Sequence, residues 1–269
     1  MKTATRPKTR PPAAAGRFYP RDSDELRRLL TTLFANIPSA SQPAPKALIA
    51  PHAGYIYSGP IAASAYARFI PAREVISRIV LLGPAHFVPF DGLAASSAEG
   101  FATPLGIVPV DQEAVSQLVG CSQVFIFDEP HVCEHSLEVQ LPFLQTVLAR
   151  FKLVPLAVGE AAAEDVSRVL ELLWGGPETR FVISSDLSHY LDYDSARRLD
   201  RATANAIEAL QPAQLAEDGA CGRIPLCGLL RAASAHGLRA RTVDLRNSGD
   251  TAGPRDQVVG YGAFAFEEV

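Results

Sequence analysis

Apolar positions along this chain follow two alternating rhythms. Short unbroken apolar runs at Lys46–Ala50 (KALIA), Ser77–Gly83 (SRIVLLG), Lys152–Val158 and Arg180–Ser184 (RFVIS) predict strands buried on both faces. Val124–Phe127 is a weaker run, and Arg239–Leu245 and Gln257–Phe266 predict two closing strands. Helical periodicity fills the intervals. Asp22-Ser23-Asp24-Glu25 opens the first helix, with acids at its positive dipole end and Leu26, Leu29, Leu30 and Leu33 on one face. Ile61–Phe69, Asp165–Trp174, Tyr193–Leu210 and Arg223–His236 predict further helices. Glu134–Phe151 reads as one long helix with two apolar stripes, Leu137/Leu141/Leu144/Leu148 and Val139/Phe143/Val147, hence well buried. Strands alternating with helices define an α/β protein around a mainly parallel sheet. No internal repeat or clear domain boundary interrupts the pattern. Residues 1–12, with three prolines and four basic groups, read as a flexible arm, and Ser39–Pro45 reads as a linker loop.

Composition narrows the function classes. Across 269 residues, 25 Lys+Arg face 29 Asp+Glu, a net charge of −4, which excludes a global basic surface for nucleic acid. At 48% hydrophobic and 20% charged residues the chain can build a core. No apolar run reaches about 18 residues, so no membrane span is expected, and the basic start lacks the apolar stretch of a signal peptide. Four cysteines do not make a disulfide scaffold, and a cytoplasmic protein with reduced thiols is expected.

Six histidines are present, and three of them, His52, His86 and His189, fall just past the carboxyl ends of predicted strands. In an open parallel sheet those ends line the ligand crevice, so three imidazoles from different strands could converge there. Neutral imidazole is both a metal ligand and the acid/base matched to neutral pH. Each histidine alone also fits a hydrogen-bonded loop residue. Gly54 and Gly59 beside His52 permit positive φ and close approach to a ligand, or form a plain turn before a helix that starts at Ser58-Gly59-Pro60. Asp186 either fixes the tautomer of His189 or caps the following helix. Glu138 either faces the one wet side of the long helix or is a buried carboxylate that needs partners. His131-x-Cys133-x-His135 fits no common tetrahedral zinc site. Cys221 precedes a helix whose N-terminal amides would stabilise a thiolate, which makes it a candidate ligand or nucleophile; Cys227, inside that helix, reads as a core residue. Phosphate-binding, dinucleotide-binding, serine-hydrolase and His-Glu-x-x-His signatures are missing.

Six segments together resemble the Memo family: Ala15–Pro20 (AGRFYP), Ala50–Pro60 (APHAGYIYSGP), Leu82–His86 (LGPAH), Glu134–Phe143 (EHSLEVQLPF), Ser184–His189 (SSDLSH) and Ala220–Arg223 (ACGR). Its bacterial and archaeal members are often called AmmeMemoRadiSam system protein B. The resemblance runs in order from about Ala13 to the end of the chain. It implies a fold like that of class III (LigB-type) extradiol dioxygenases: a single three-layer α/β/α domain over residues 13–269. It further implies a mononuclear iron or copper site held by His52, His86 and Cys221, with Asp186 and His189 in the same cleft and His189 in the acid/base position. Where relatives often carry Ser, this chain has Ala85. The dioxygenase carboxylate ligand is replaced by Cys221, and a thiolate is softer, suits copper and is oxidisable. Three functions follow as expectations: a metal-dependent redox protein, a true ring-cleaving dioxygenase, or a non-catalytic module whose cleft binds a peptide or partner protein. Tyr55, Tyr57 and Phe87 at the mouth would serve a small molecule or a peptide.

Overall fold

Four strands, each flanked by others and buried on both faces, form the heart of the molecule. The computed structural model describes residues 8–38, 42–120 and 123–268. In chain order the described elements are β1 (Thr9–Arg10), α1 (Ser23–Ala35), β2 (Ala47–Ala50), α2 (Tyr55–Tyr66), β3 (Arg78–Pro84), β4 (Leu93–Ala95), β5 (Gly100–Thr103), β6 (Gly106–Pro109) and α3 (Gln112–Leu118). They continue with β7 (Val124–Ile126), α4 (Glu129–Cys133), α5 (Leu141–Val147), β8 (Lys152–Val158), α6 (Ala163–Leu172), β9 (Thr179–Ser184), β10 (His189–Leu191), α7 (Tyr193–Glu208), α8 (Arg223–Ala235), β11 (Arg239–Asn247) and β12 (Val258–Glu267).

The main sheet runs β10-β12-β2-β9-β3-β8-β4-β7, with β11 also paired to β12. Its centre, β2, β9, β3 and β8, is parallel, as the unbroken apolar runs require. The flanks are mixed: β12 is antiparallel to β2, β10 and β11, and β4 is antiparallel to β8 but parallel to β7. Helices cover the sheet: α6 and α8 pack on each other, α8 reaches β3 and β9, and α2 and α7 lie against β11 and β12. The result is a three-layer α/β/α domain. A separate three-stranded sheet, β1-β5-β6, sits beside it. Among the described residues no helix is long and apolar enough to cross a membrane.

Several elements depart from the sequence pattern. The expected helix over Glu134–Phe151 is broken: α4 ends at Cys133, Glu134 is extended (φ −69°, ψ 132°), a single 3-10 turn spans Glu138–Gln140, and α5 covers only Leu141–Val147. Pro142 sits in the first turn of α5, where its missing N–H costs nothing. The apolar pattern looked continuous because the irregular stretch is as buried as the helix: Leu137, Val139 and Leu141 are all at most 2% exposed. The helix expected from Ser58-Gly59-Pro60 starts at Tyr55, so Pro60 lies inside it. Gly59 serves packing, since a Cβ there would stand 3.0 Å from Leu33 Cδ1 of α1. The first helix opens where its acids predict, and Asp22 caps it, its Oδ1 accepting from the amides of Asp24 (3.0 Å) and Glu25 (2.9 Å).

Glu138 does not face water. It is fully buried and accepts hydrogen bonds from the amides of Ala13 (2.7 Å) and Ala14 (2.8 Å), from the Tyr19 hydroxyl and from the Arg10 guanidinium. Four donors offset the cost of burying the carboxylate. Of the expected arm, residues 1–7 lie outside the described residues. Thr9–Arg10 instead pairs with β5, and Arg10 also donates to the carbonyls of His131 (2.8 Å) and Glu134 (2.6 Å).

Candidate metal centre

Parallel strands end on one side of the sheet, and the loops that leave them carry the chemistry. His52 follows β2, His86 follows β3, and Ser184 closes β9 just before Asp186. His189 opens β10, and Cys221 stands two residues ahead of α8. A further contributor, His135, comes from the bend between α4 and α5. His52, His86 and His135 each offer one ligand atom, and these atoms lie within 4.8 Å of one another. Their rings pack as a trio, with centroids 4.7–5.4 Å apart.

The hydrogen bonds fix which nitrogen faces inward. Ser184 Oγ donates its only proton to the Ser136 carbonyl (2.6 Å) and accepts from Gln140 Nε2 (2.7 Å). His52 Nδ1, 2.8 Å away, must therefore donate to Ser184 Oγ, leaving the lone pair on His52 Nε2. Glu134 does the same for His86: Oε1 accepts from His86 Nδ1 (2.9 Å) and Oε2 from the His86 amide (2.6 Å). The same Oε1 accepts from the amides of His135 and Ser136, both at 2.9 Å. Such outer partners orient metal-ligating imidazoles and raise their basicity. Phe18 stacks on His135 with centroids 4.3 Å apart.

Cys221 joins the group through His52, with Sγ 3.3 Å from His52 Nε2, while the Asp186 amide donates to the same sulfur at 3.3 Å. Gly222 allows this approach: a Cβ there would lie 2.7 Å from the Ser185 Cβ. The Asp186 carboxylate neither caps the next helix nor bonds His189. Its Oδ1 accepts from the amides of His52 (2.7 Å) and Ala53 (3.3 Å), and Asp192 caps α7. Asp186, His189, Tyr57, Tyr190 and Tyr261 line one cavity with the three histidines, of about 570 Å³. His131 and Cys133 stand apart from it. His131 Nε2 donates to the Ala94 carbonyl (2.9 Å), and Cys133 is exposed. Cys227 is a buried core residue, as read, and Cys121 lies outside the described residues.

Electrostatics keep His52 and His135 neutral. Burial, with repulsion from His86, pulls His52 down to about 3, and burial with repulsion from His52 pulls His135 down to about 4. For Glu134 burial alone would raise the value, but the bonds from His86 and the Ser136 amide bring it to about 2, so it stays ionised. Burial and the nearby Asp186 push the Cys221 thiol up to about 12, which overrides the helix start expected to stabilise a thiolate. Burial also raises Asp186, against the His52 amide.

These shifts give the metal-free protein a defined pH profile. Unfolded imidazoles bind protons near pH 6.5, but folded His52 and His135 do so only near 3 and 4. The unfolded state therefore holds more protons between those values, and stability falls as pH drops through that window. Glu134 adds the same sign below its ordinary 4.5. Above pH 9 the unfolded thiol ionises and folded Cys221 does not, so stability falls again. Each group contributes a slope of up to about 1.4 kcal/mol per pH unit. Urea midpoints measured from pH 4 to pH 10 are expected to peak between about 6.5 and 9; a profile flat down to pH 4 would contradict the neutral, buried histidines.

An α/β domain with imidazoles and a thiol converging past its strand ends is the class that fold and site define. The comparisons then place it. A family profile described as Memo-like protein matches residues 10–265. A MEMO1 family protein of Aquifex aeolicus is 37% identical over 270 residues, covering 96% of this chain and 99% of that protein. Its namesakes in Aeropyrum pernix (37% over 281 residues; 95% and 99%) and Methanosarcina acetivorans (36% over 271 residues; 96% and 99%) are similar to it along the same length. The chain belongs to the Memo family.

The sequence reading did not name Glu134 as a site residue and did not assign His135 as a ligand. A signal was present. From Ser136 to Leu141 polar and apolar residues alternate strictly, a period of two that an α-helix does not produce.

Proposed function

We propose that His52, His86 and Cys221 hold a single iron or copper ion, with His135 as an additional donor, and that the protein performs a metal-dependent redox reaction on a small molecule. The observation that carries this reading is the pair of oriented Nε2 lone pairs on His52 and His86, with His135 and the Cys221 sulfur beside them. The donor chemistry fits. Two nitrogens on one ion at about 2.0–2.1 Å stand at most about 4.2 Å apart, so the trio need close by only about half an ångström. Imidazole suits iron and copper, and a thiolate favours copper(I). Such an ion would supply one-electron redox chemistry and Lewis acidity. Around it, Glu134 and Ser184 hold the ligand tautomers. His189, on the cavity wall, is placed to exchange a proton with a bound ligand through its ring nitrogens. Asp186 positions the His52 backbone. The aromatic wall of Phe18, Tyr57, Tyr190 and Tyr261 suits a flat substrate.

Protection of the thiol tests the reading. Because burial holds the Cys221 thiol protonated, prolonged alkylation at alkaline pH is used. Read by peptide mass spectrometry, it is expected to label Cys221 slowly in stripped protein and to spare it in metal-loaded protein, because the ion occupies the sulfur lone pair. Exposed Cys133 is the internal control and should label equally in both. Equal labelling of Cys221 in the two samples would remove it from the ligand set. Turnover of a catechol with ring cleavage would favour the dioxygenase reading over other redox chemistry.

A further inference from the structure

A second cavity, of about 520 Å³, lies between α7 and β11, away from the histidine centre, and its walls are rich in arginine. Arg197, Arg198 and Arg201 project from α7, and Arg246 comes from β11. Arg246 is forked onto Asp244, at 2.9 Å and 2.5 Å. The other three form no ion pair among the described residues. Arg198 Nη2 bonds Ser195 Oγ of its own helix at 2.8 Å, Arg197 lies over the Tyr193 ring 5.6 Å from its centroid, and Arg201 is exposed. The acids of the cavity are largely committed elsewhere. Asp200 is buried and accepts from the Ser188 amide (3.0 Å). Asp250 accepts from the Tyr193 hydroxyl (2.6 Å) and the Asn247 amide (3.0 Å). Three guanidiniums without an ion pair thus line the cavity beside three carboxylates, those of Asp194, Asp200 and Asp250.

We propose that this cavity is a binding site for a small ligand bearing a phosphate or pyrophosphate group. Guanidinium presents a planar fork of donors that matches phosphate oxygens two at a time. The volume falls within the range of about 300–1,000 Å³ typical of small-molecule sites. None of the three is held in an ion pair among the described residues, so their remaining donors are open to an anion. The site is independent of the metal reading. It does share a wall with the first cavity, since Ser248 lines the histidine cavity while its neighbour Asn247 lines this one.

Isothermal titration of inorganic pyrophosphate into the full-length protein at matched ionic strength tests the proposal, with inorganic phosphate as a second arm. Saturable binding is expected in the wild type. The double variant Arg197→Gln/Arg201→Gln should weaken it tenfold or more, about 1.4 kcal/mol. Both positions are exposed on α7, and a circular dichroism melt confirms that the variant remains folded. His52→Ala should bind as well as the wild type, which separates this site from chelation at the histidine centre. Absence of saturable binding, equal affinity in the arginine double variant, or loss of binding in His52→Ala would each overturn it.

Discussion

His52→Ala is expected to lose bound iron and copper together, with affinity down more than about 100-fold, beyond the 10–100-fold typical of losing an outer partner. The reason is positional. His52 is 2% exposed, its Nδ1–H is committed to Ser184, and its Nε2 stands 3.3 Å from the Cys221 sulfur. The fold should survive: the His52 amide bond to Asp186 is made by the backbone and does not need the ring. Equilibrium dialysis against each metal, with a urea melt alongside, checks this. Unchanged metal affinity in a folded His52→Ala protein would mean that the cleft does not bind metal through this residue.

Cys221→Ser is the second large effect, and it separates the metals. A hydroxyl is a poor ligand for a soft ion, so copper(I) affinity should fall far more than iron(II) affinity. The two proteins should also differ in pH dependence. In the wild type the thiol, held at about 12 by burial, must lose its proton as the ion binds, so affinity rises with pH. The serine variant lacks that term, and its copper(I) affinity should vary less between pH 6 and pH 8. Competition titrations with a copper(I) chelator at several pH values read both quantities. Full copper(I) affinity in Cys221→Ser would shift the centre onto the three histidines alone.

The central strands were legible because each is buried on both faces and its apolar run is unbroken, as in SRIVLLG and RFVIS. The flanking elements were not. β4, β5 and β6 are three or four residues long, too short for a periodicity to stand out, and in β6 only Val108 is buried. The Glu134–Phe151 misreading has a related cause. Total burial erases the difference between a helix and a packed irregular segment, because both place apolar residues at most positions. That error left His135 out of the expected ligand set, since a continuous helix from Glu134 leaves no bend between α4 and α5 to turn it inward. The docking of Arg10 was hidden for the opposite reason: its partner Glu138 is 128 residues away, and a buried ion pair at that separation leaves no local pattern. By contrast, His52, His86 and Cys221 lie at element boundaries, where strand ends and a helix start mark them in the sequence itself.

The central claim, that these residues form one metal centre, is tested most directly by elemental analysis of the purified protein after extensive dialysis, paired with X-ray absorption at the iron and copper edges. The account predicts close to one ion per chain, with nitrogen ligands at about 2.0–2.1 Å and one sulfur at about 2.3 Å. Metal-free protein that also fails to take up iron or copper when supplied, or a bound ion whose first shell holds no histidine nitrogen, would contradict it.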